Sequence, residues 1–197
     1  MLLAEPMGPR ALARWTLAAV TLAPLLALSG SSAAETQTPS PEALVETDIG
    51  SFVIRLFPDV APEHVRHFVD TVRAGGYDGT VFHRVVPGQV IQGGDPFSKD
   101  PSREAEYGRG GFGLLRAEPS KRSFTRGVVA AARCPTSPDS AGSQFFVVLA
   151  DQPALQGHYT LFGEVVSGMD VVDAIGDAGG DDGKPRRRIE MRVRLRD

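Results

Sequence analysis

Four short segments of the chain bring charged and amide side chains together with aromatic and small residues. Arg84 stands in the first segment, Gln92 in the second and Gln144 in the third. An arginine is always charged and offers a rigid fork of N–H donors, and a glutamine amide can both donate and accept. Because an arginine beside a strand usually forms only a surface ion pair, Arg84 indicates a function only in the context of the other segments. The segments are Phe82–Gly88, Ile91–Asp95, Ser140–Phe146 and Leu155–Gly163.

Thiol, metal and phosphate chemistry have weaker support in the sequence. Cys134 is the only cysteine, which excludes an internal disulfide and a CxxC redox or zinc site. His64 and His67 are spaced as metal ligands on a helix would be, but no third ligand stands nearby and we favour solvated helix surface. The glycine-rich stretch Gly108–Gly113 lacks the flanking strand, the following helix and the Lys-Ser/Thr of a phosphate loop. We therefore expect no metal and no other cofactor.

The composition indicates an ordinary globular protein. Of the 197 residues, 42% are hydrophobic and 23% are charged. A formal net charge of −3 provides no basic field for nucleic acid. The arginines within 186–188 and 192–196 would suit a polyanion, but we favour a solvated strand face because those after Arg188 alternate with apolar residues. We expect a monomer without a nucleic-acid partner.

The N-terminus has the layout of a secretory signal peptide. Arg10 and Arg14 form a positive region, an apolar run extends from Trp15 to Leu28, and Ser32–Ala34 matches a cleavage site. The run is shorter than the roughly 20 residues of a bilayer span, and an uncleaved anchor is the alternative. After cleavage near Ala34 the protein would be periplasmic or secreted, with no stable membrane span. The predicted organisation is a signal peptide over 1–34, a flexible leader over 35–42 and a folded domain over 43–197.

Apolar periodicity predicts the elements of the domain. Thr47–Gly50 separates two strand-like segments and predicts a hairpin. Pro62 begins a helix with an apolar stripe at Val65, Phe68, Val69 and Val72, and Gly75-Gly76 ends it. Gly168–Ile175 predicts a second short helix, and the residues from Ile189 to Arg196 alternate as a half-buried strand does. Many short strands with two helices predict a closed antiparallel barrel or a sandwich.

In order and spacing, the four segments resemble the cyclophilin family, and the resemblance covers about residues 43–197. It implies a mainly β fold, a closed eight-stranded antiparallel barrel capped by two helices, and peptidyl-prolyl cis–trans isomerase activity. Rotation about an X–Pro amide faces a barrier of roughly 18–20 kcal/mol and is slow enough to limit folding. Because no bond is made or broken, the reaction needs only a pocket for the proline ring, polar groups for the flanking backbone and a donor for the twisted amide. The implied partners are proline-containing segments of unfolded or extended proteins.

The resemblance assigns the polar roles. Arg84 would be the donor to the twisted amide, and Gln92 would hydrogen-bond both Arg84 and the substrate backbone. Gln144 would be a further polar residue that binds substrate. Tyr159 stands where many relatives carry a histidine, and its hydroxyl can donate in the same way.

The apolar wall of the implied pocket departs from the family in part. Phe146 and Leu155 match walls of the proline pocket. Gln89 stands where an aromatic residue is usual, Val90 where methionine is usual, and Ala154 at a position that is often tryptophan. Burial of an aromatic side chain is worth about 1.5–3 kcal/mol, so these changes would weaken proline binding about tenfold or more.

Two classes of function therefore compete. An isomerase that assists the folding of exported bacterial proteins is favoured by Arg84, Gln92 and Phe146. A peptide-binding module or chaperone with little turnover is favoured by Gln89 and Val90. We predict the isomerase, with Arg84 and Gln92 as the catalytic residues.

Overall fold

The structure is a computed structural model of the chain and describes residues 40–196. The predicted signal peptide and the leader up to residue 39 lie outside the described residues. Within them, no helix is both long and apolar enough to cross a membrane. The strands are β1 (Glu42–Thr47), β2 (Ser51–Leu56), β3 (Phe82–Val86), β4 (Val90–Gly93), β5 (Val128–Ala131), β6 (Phe145–Val148), β7 (Leu161–Ser167) and β8 (Met191–Arg196), and the helices are α1 (Pro62–Arg73) and α2 (Met169–Asp177). β1 thus begins at Glu42, the last residue of the predicted leader.

The eight strands form one antiparallel sheet in the order β3-β4-β6-β5-β7-β2-β1-β8. The hairpin predicted around Thr47–Gly50 is the β1–β2 pair and is confirmed. The sheet curls until its edges meet at a single isolated bridge between Val81 and Glu190. β3 and β8 each begin directly after that bridge and run away from it, so no continuous ladder joins them. The sheet is therefore an open half-barrel, and the predicted closed barrel is not confirmed.

Aromatic rings dominate the inner core between the sheet and the helices. The ring centroid of Phe68 on α1 lies 5.1 Å from that of Tyr77, 5.9 Å from Phe145 and 5.4 Å from Phe162. Aromatic pairs at such distances add about 0.5–1.5 kcal/mol each beyond their burial. The predicted apolar stripe of α1 is confirmed, because its aromatic member stands at the centre of this core.

The C-terminal strand confirms the predicted alternation. Met191 and Val193 are buried, whereas Arg192 and Arg194 between and after them are exposed. Arg194 forms an ion pair with Asp78 at 2.7 Å. The outward face of β8 is thus a solvated, partly ion-paired surface, as the sequence favours.

A distant loop caps the N-terminus of α1. The N-cap residue Ala61 offers no side-chain acceptor. Glu118 instead accepts hydrogen bonds from the backbone N–H groups of Glu63 at 3.1 Å and His64 at 3.0 Å, and lies 2.5 Å from Nδ1 of His64. His64 is only 3% exposed, so the predicted solvated position is wrong for this histidine. The part of the chain that is described contains no cluster of three or more potential metal ligands.

The carboxylate of Glu118 is stabilised in its charged form. Burial alone would raise its pKa, but hydrogen bonds from the His64 side chain and the backbone N–H groups of Glu63 and His64 outweigh burial and lower the pKa. A carboxylate whose folded pKa is lowered stabilises the fold above its unfolded pKa of about 4.3. That stabilisation is lost as the pH falls through the lower, folded pKa.

Glu118→Gln should lower the free energy of unfolding by about 1 kcal/mol at pH 7, because the cap loses its charge. The difference from the unmodified protein should shrink as the pH falls below about 4, and urea denaturation measures it. Glu104→Gln is the matched control, because Glu104 pairs with Lys184 on the exposed surface at 3.2 Å and its loss should cost less than about 0.5 kcal/mol. Equal effects of the two substitutions at pH 7 would contradict a capping role for Glu118.

Candidate active site

A row of side chains crosses the outer face of the sheet. The register pairs Arg84 with Gln92, Gln92 with Phe146, Phe146 with Ala130, and Ala130 with Leu161. Directly opposed residues on antiparallel strands point to the same face. The row therefore places a guanidinium at its β3 end, an amide beside it and an apolar surface beyond.

A β-bulge directs the arginine into this row. The register shifts between Phe82 and Arg84, so that two residues of β3 oppose one residue of β4. Phe82 and Val85 are both fully buried in the inner core, and the bulge leaves His83 and Arg84 on the outside. His83 lines a separate cavity of about 520 Å³ with Tyr107 and Arg188.

A chain of hydrogen bonds links the predicted polar residues. Nη1 of Arg84 donates to Oε1 of Gln92 at 3.4 Å, and Nε2 of Gln92 donates to Oε1 of Gln144 at 3.0 Å. Nε2 of Gln144 donates to the carbonyl of Gly110 at 2.7 Å. Gln144 is 1% exposed, whereas Arg84 is exposed and forms no ion pair with any described carboxylate. Most of the guanidinium donors therefore remain free above the row.

Buried Asp95 organises the glycine-rich loop to which this chain of hydrogen bonds is tied. Its carboxylate accepts from the backbone N–H groups of Phe97 at 2.8 Å, Gly108 at 2.5 Å and Gly110 at 3.3 Å. A Cβ at Gly110 would lie 2.3 Å from Oδ1 of Asp95, so only glycine fits there. The glycines that superficially resemble a phosphate loop thus surround a carboxylate of the protein itself. No local sequence pattern indicates this role of Asp95.

An apolar cluster, here called the outer cluster, covers the rest of the row. The Phe146 ring is 5% exposed and meets Tyr159 edge-on at 5.3 Å and an interplanar angle of 87°. Leu155 and Tyr159 are half-buried against it, and Val90 is 9% exposed. The buried members are Phe57, Val90, Phe124, Val128, Ala130, Ala132, Phe146, Val148 and Leu161, and the half-buried ones are Val60, Val86, Phe112, Leu155 and Tyr159. Arg84, Gln92 and this cluster together are called the site surface below.

The structure brings together every predicted site residue except Gln89. Gln89 is exposed in the turn between β3 and β4 and lies outside the outer cluster, while its carbonyl accepts from the N–H of Leu149 at 2.8 Å. Ala154 is exposed on a short 3-10 helix, Pro153–Leu155. Gln89 and Ala154, two of the three departures from the family pattern, thus lie at the margin of the site surface, whereas the third, Val90, belongs to the outer cluster.

Three aromatic residues of the site and its support were missed by the sequence analysis. Phe124 stacks on Phe146 at 6.5 Å, and Phe112 packs against the outer cluster from the glycine-rich loop. The hydroxyl of Tyr77 donates to the carbonyl of Ser143 at 3.0 Å, beside Gln144, and burial raises the pKa of this tyrosine. Only Phe112 gave a sequence signal, as an aromatic residue among glycines.

The chain is similar in sequence and in fold to known proteins. The family model described as cyclophilin type peptidyl-prolyl cis-trans isomerase/CLD matches residues 43–194. A probable peptidyl-prolyl cis-trans isomerase of Brucella suis is 41% identical over 155 residues, which cover 76% of this chain and 79% of the relative. A peptidyl-prolyl cis-trans isomerase of Arabidopsis thaliana is 35% identical over 136 residues, covering 69% of this chain and 80% of the relative. A crystal structure of a Cryptosporidium parvum cyclophilin type isomerase, in the presence of the dipeptide Ala-Pro, superposes with a TM-score of 0.70 at 25% identity, covering 79% of this chain and 99% of that one.

Gln144→Leu should lower the free energy of unfolding by about 1–3 kcal/mol, because it leaves the Gly110 carbonyl without its side-chain donor and Nε2 of Gln92 without its acceptor. Chemical denaturation measures the change. Gln156→Leu is the matched control, since Gln156 is exposed and donates to the carbonyl of Lys121 at 3.0 Å. A loss for Gln144→Leu no larger than for the control would argue against a structural role for the buried amide.

Proposed function

The chain belongs to the cyclophilin-type peptidyl-prolyl cis-trans isomerase family and catalyses that family's reaction, and we propose that its clients are proline-containing segments of exported proteins. The observation that carries the assignment of the site is the row on the outer face. It sets an exposed guanidinium, which forms no ion pair with a described carboxylate, at one end of an apolar surface, with an amide between them. The apolar surface suits the proline ring of a substrate, and the guanidinium can donate a hydrogen bond to the X–Pro amide.

In this proposal, Arg84 acts on the twisted amide. When the X–Pro bond rotates, the amide loses resonance and its nitrogen regains a lone pair. A guanidinium N–H can donate to that lone pair, and this hydrogen bond is stronger in the twisted state than in either planar isomer. Gln92 accepts from one arm of Arg84 through Oε1 and donates one N–H of Nε2 to Gln144, so the second N–H of Nε2 is the donor left for the substrate backbone. The barrier falls because the donor favours the transition state over both ground states.

The remaining residues bind the ring or hold the catalytic pair. Phe146 is the floor beneath the proline ring, with Leu155 and Tyr159 at its sides. Val90 continues the wall toward β3, where valine gives less contact area than the methionine that is usual at this position in the family. Gln144, which the sequence analysis assigns to substrate, is buried and is proposed here to position Gln92.

The proposed location is the bacterial periplasm or the medium, with the protein acting as a monomer. The support lies in the sequence of residues 1–34, whose positive region, short apolar run and small residues suit export and cleavage. Slow X–Pro isomerisation limits the folding of many chains, and exported proteins fold after translocation. An isomerase in that compartment would act on them while they are still extended.

Arg84→Ala should lower kcat/KM for X–Pro peptides by about tenfold or more and leave Tm nearly unchanged, because the exposed guanidinium acts on the transition state rather than on the fold. Arg84→Lys keeps the charge without the fork and should recover only part of the activity. Arg192→Ala removes an arginine of β8 that is also exposed and is the control. A protease-coupled isomerisation assay measures all four proteins. Equal kcat/KM of Arg84→Ala and the unmodified protein would remove Arg84 from the proposed mechanism.

The export proposal has its own test. A full-length chain expressed in a Gram-negative bacterium should yield a mature protein that begins near Glu35 and leaves the periplasm by osmotic shock without detergent. N-terminal sequencing of the released protein identifies the cleavage site. Recovery of the chain with Met1 intact in the membrane fraction would contradict the proposal and support an uncleaved anchor.

A further inference from the structure

Two arginines border the site surface without a carboxylate partner among the described residues. Arg84 stands at its β3 end, and Arg133 lies beside Tyr159 at the other side. Ion pairs are common elsewhere on the described surface, as between Arg126 and Asp173 at 2.6 Å. The positive charge at the site surface is therefore a local feature of a chain whose formal net charge is −3.

Arg133 is held in place by neutral groups. Its guanidinium carbon lies 4.8 Å from the centroid of the Tyr159 ring. Nε donates to the carbonyl of His158 at 2.9 Å, and Nη1 donates to the carbonyls of Cys134 and Pro135 at 3.1 and 3.2 Å. Backbone carbonyls and an aromatic ring orient a guanidinium but leave its full charge in place. Nη2 has no hydrogen-bond partner within residues 40–196.

The two arginines lie on opposite sides of Phe146. In the sheet order, Arg84 is on β3, two strands from β6, and Arg133 follows β5, the neighbour of β6 on the other side. A peptide that crosses the strands with its proline on Phe146 would therefore have one guanidinium on each side of the ring.

Three carboxylates on other loops accept hydrogen bonds from backbone N–H groups instead of pairing with these arginines. Asp139 accepts from the backbone N–H of Ala117 at 2.9 Å, and Asp151 accepts from that of Arg126 at 3.0 Å. Glu118 caps α1. None of the three forms an ion pair with Arg84 or Arg133 in the described part of the chain.

A third guanidinium adds to the positive charge around the site surface. Arg122 lies 4.1 Å from the centroid of the Phe57 ring, which belongs to the outer cluster, and it forms no ion pair with a described carboxylate. Like charges around one apolar surface add their fields, and an apolar surface screens them less than water does. A substrate that carries a negative charge beside its proline would meet attraction, and a positively charged one would meet repulsion.

We propose that the enzyme prefers proline sites flanked by Asp or Glu, and that Arg133 is the residue that sets this specificity. The inference rests on the proposed site and deepens it. Exposed charge pairs are weak, so a two- to fivefold preference in kcat/KM is expected at low ionic strength. Salt at about 0.5 M should remove most of it, because the Debye length then falls to roughly 4 Å.

The test compares peptides that differ only in charge. One series places Glu, Gln or Lys directly before the proline, and a second places them directly after it. The Glu/Gln ratio of kcat/KM is the readout, because these side chains have nearly the same shape. We expect a ratio of about three in at least one series and a Lys/Gln ratio below one. Calorimetric Kd values of the same peptides report the preference independently of turnover.

Variants assign the preference to Arg133. Arg133→Gln should bring the Glu/Gln ratio close to one, and Arg133→Lys, which keeps the charge but not the hydrogen bonds to the loop, should retain most of it. Arg192→Gln removes an exposed arginine on β8 and should leave the ratio as it is. A ratio near one in both series, or a ratio that Arg133→Gln leaves intact, would overturn the inference. If no peptide is isomerised, the proposed site fails, and the Kd ratios still decide the charge preference.

Discussion

Strand β6 imposes the constraint from which both the core and the site follow. Its backbone is paired on both sides, with β4 and with β5. Phe145 and Val147 enter the inner core, and Phe146 and Val148 enter the outer cluster. Because side chains alternate with a period of two, a slip of one residue would exchange the two sets. The packing that holds the half-barrel together therefore also fixes the floor of the site surface.

The polar half of the site depends on the same strand through Gln144, the residue that precedes it. The buried amide must have partners at both ends, and it finds them in Gln92, 52 residues away in the chain, and in the Gly110 carbonyl. Asp95 fixes the loop that carries Gly110. Arg84 is thus positioned by a chain of hydrogen bonds that begins in the interior, although its own guanidinium is exposed. Because the partners in this chain are neutral amides, they hold the guanidinium donors in position without cancelling their positive charge.

At the site surface, the charged groups and the apolar area have different roles in binding. The apolar floor recognises a ring that every X–Pro substrate has, so it contributes affinity without discrimination between sequences. Unpaired guanidiniums act on the residues beside the ring, where substrates differ. Placing Arg133 on the Tyr159 ring and on backbone carbonyls retains a charge that an acidic partner would have cancelled. Affinity and preference are in this way carried by different side chains.

The sequence alone determined what local periodicity can encode. It gave the β1–β2 hairpin, α1 from Pro62, the alternation of β8 and, through the order of four segments, most members of the site. It did not reveal the cap that Glu118 provides to α1, the burial of His64, the role of Asp95 or the single bridge between Val81 and Glu190 at which the edges of the open sheet meet. Those features join residues far apart in the chain, or depend on where a strand ends. Tertiary structure decided them, because a buried polar group takes whichever partner the fold brings within hydrogen-bond distance, and no local pattern records that choice.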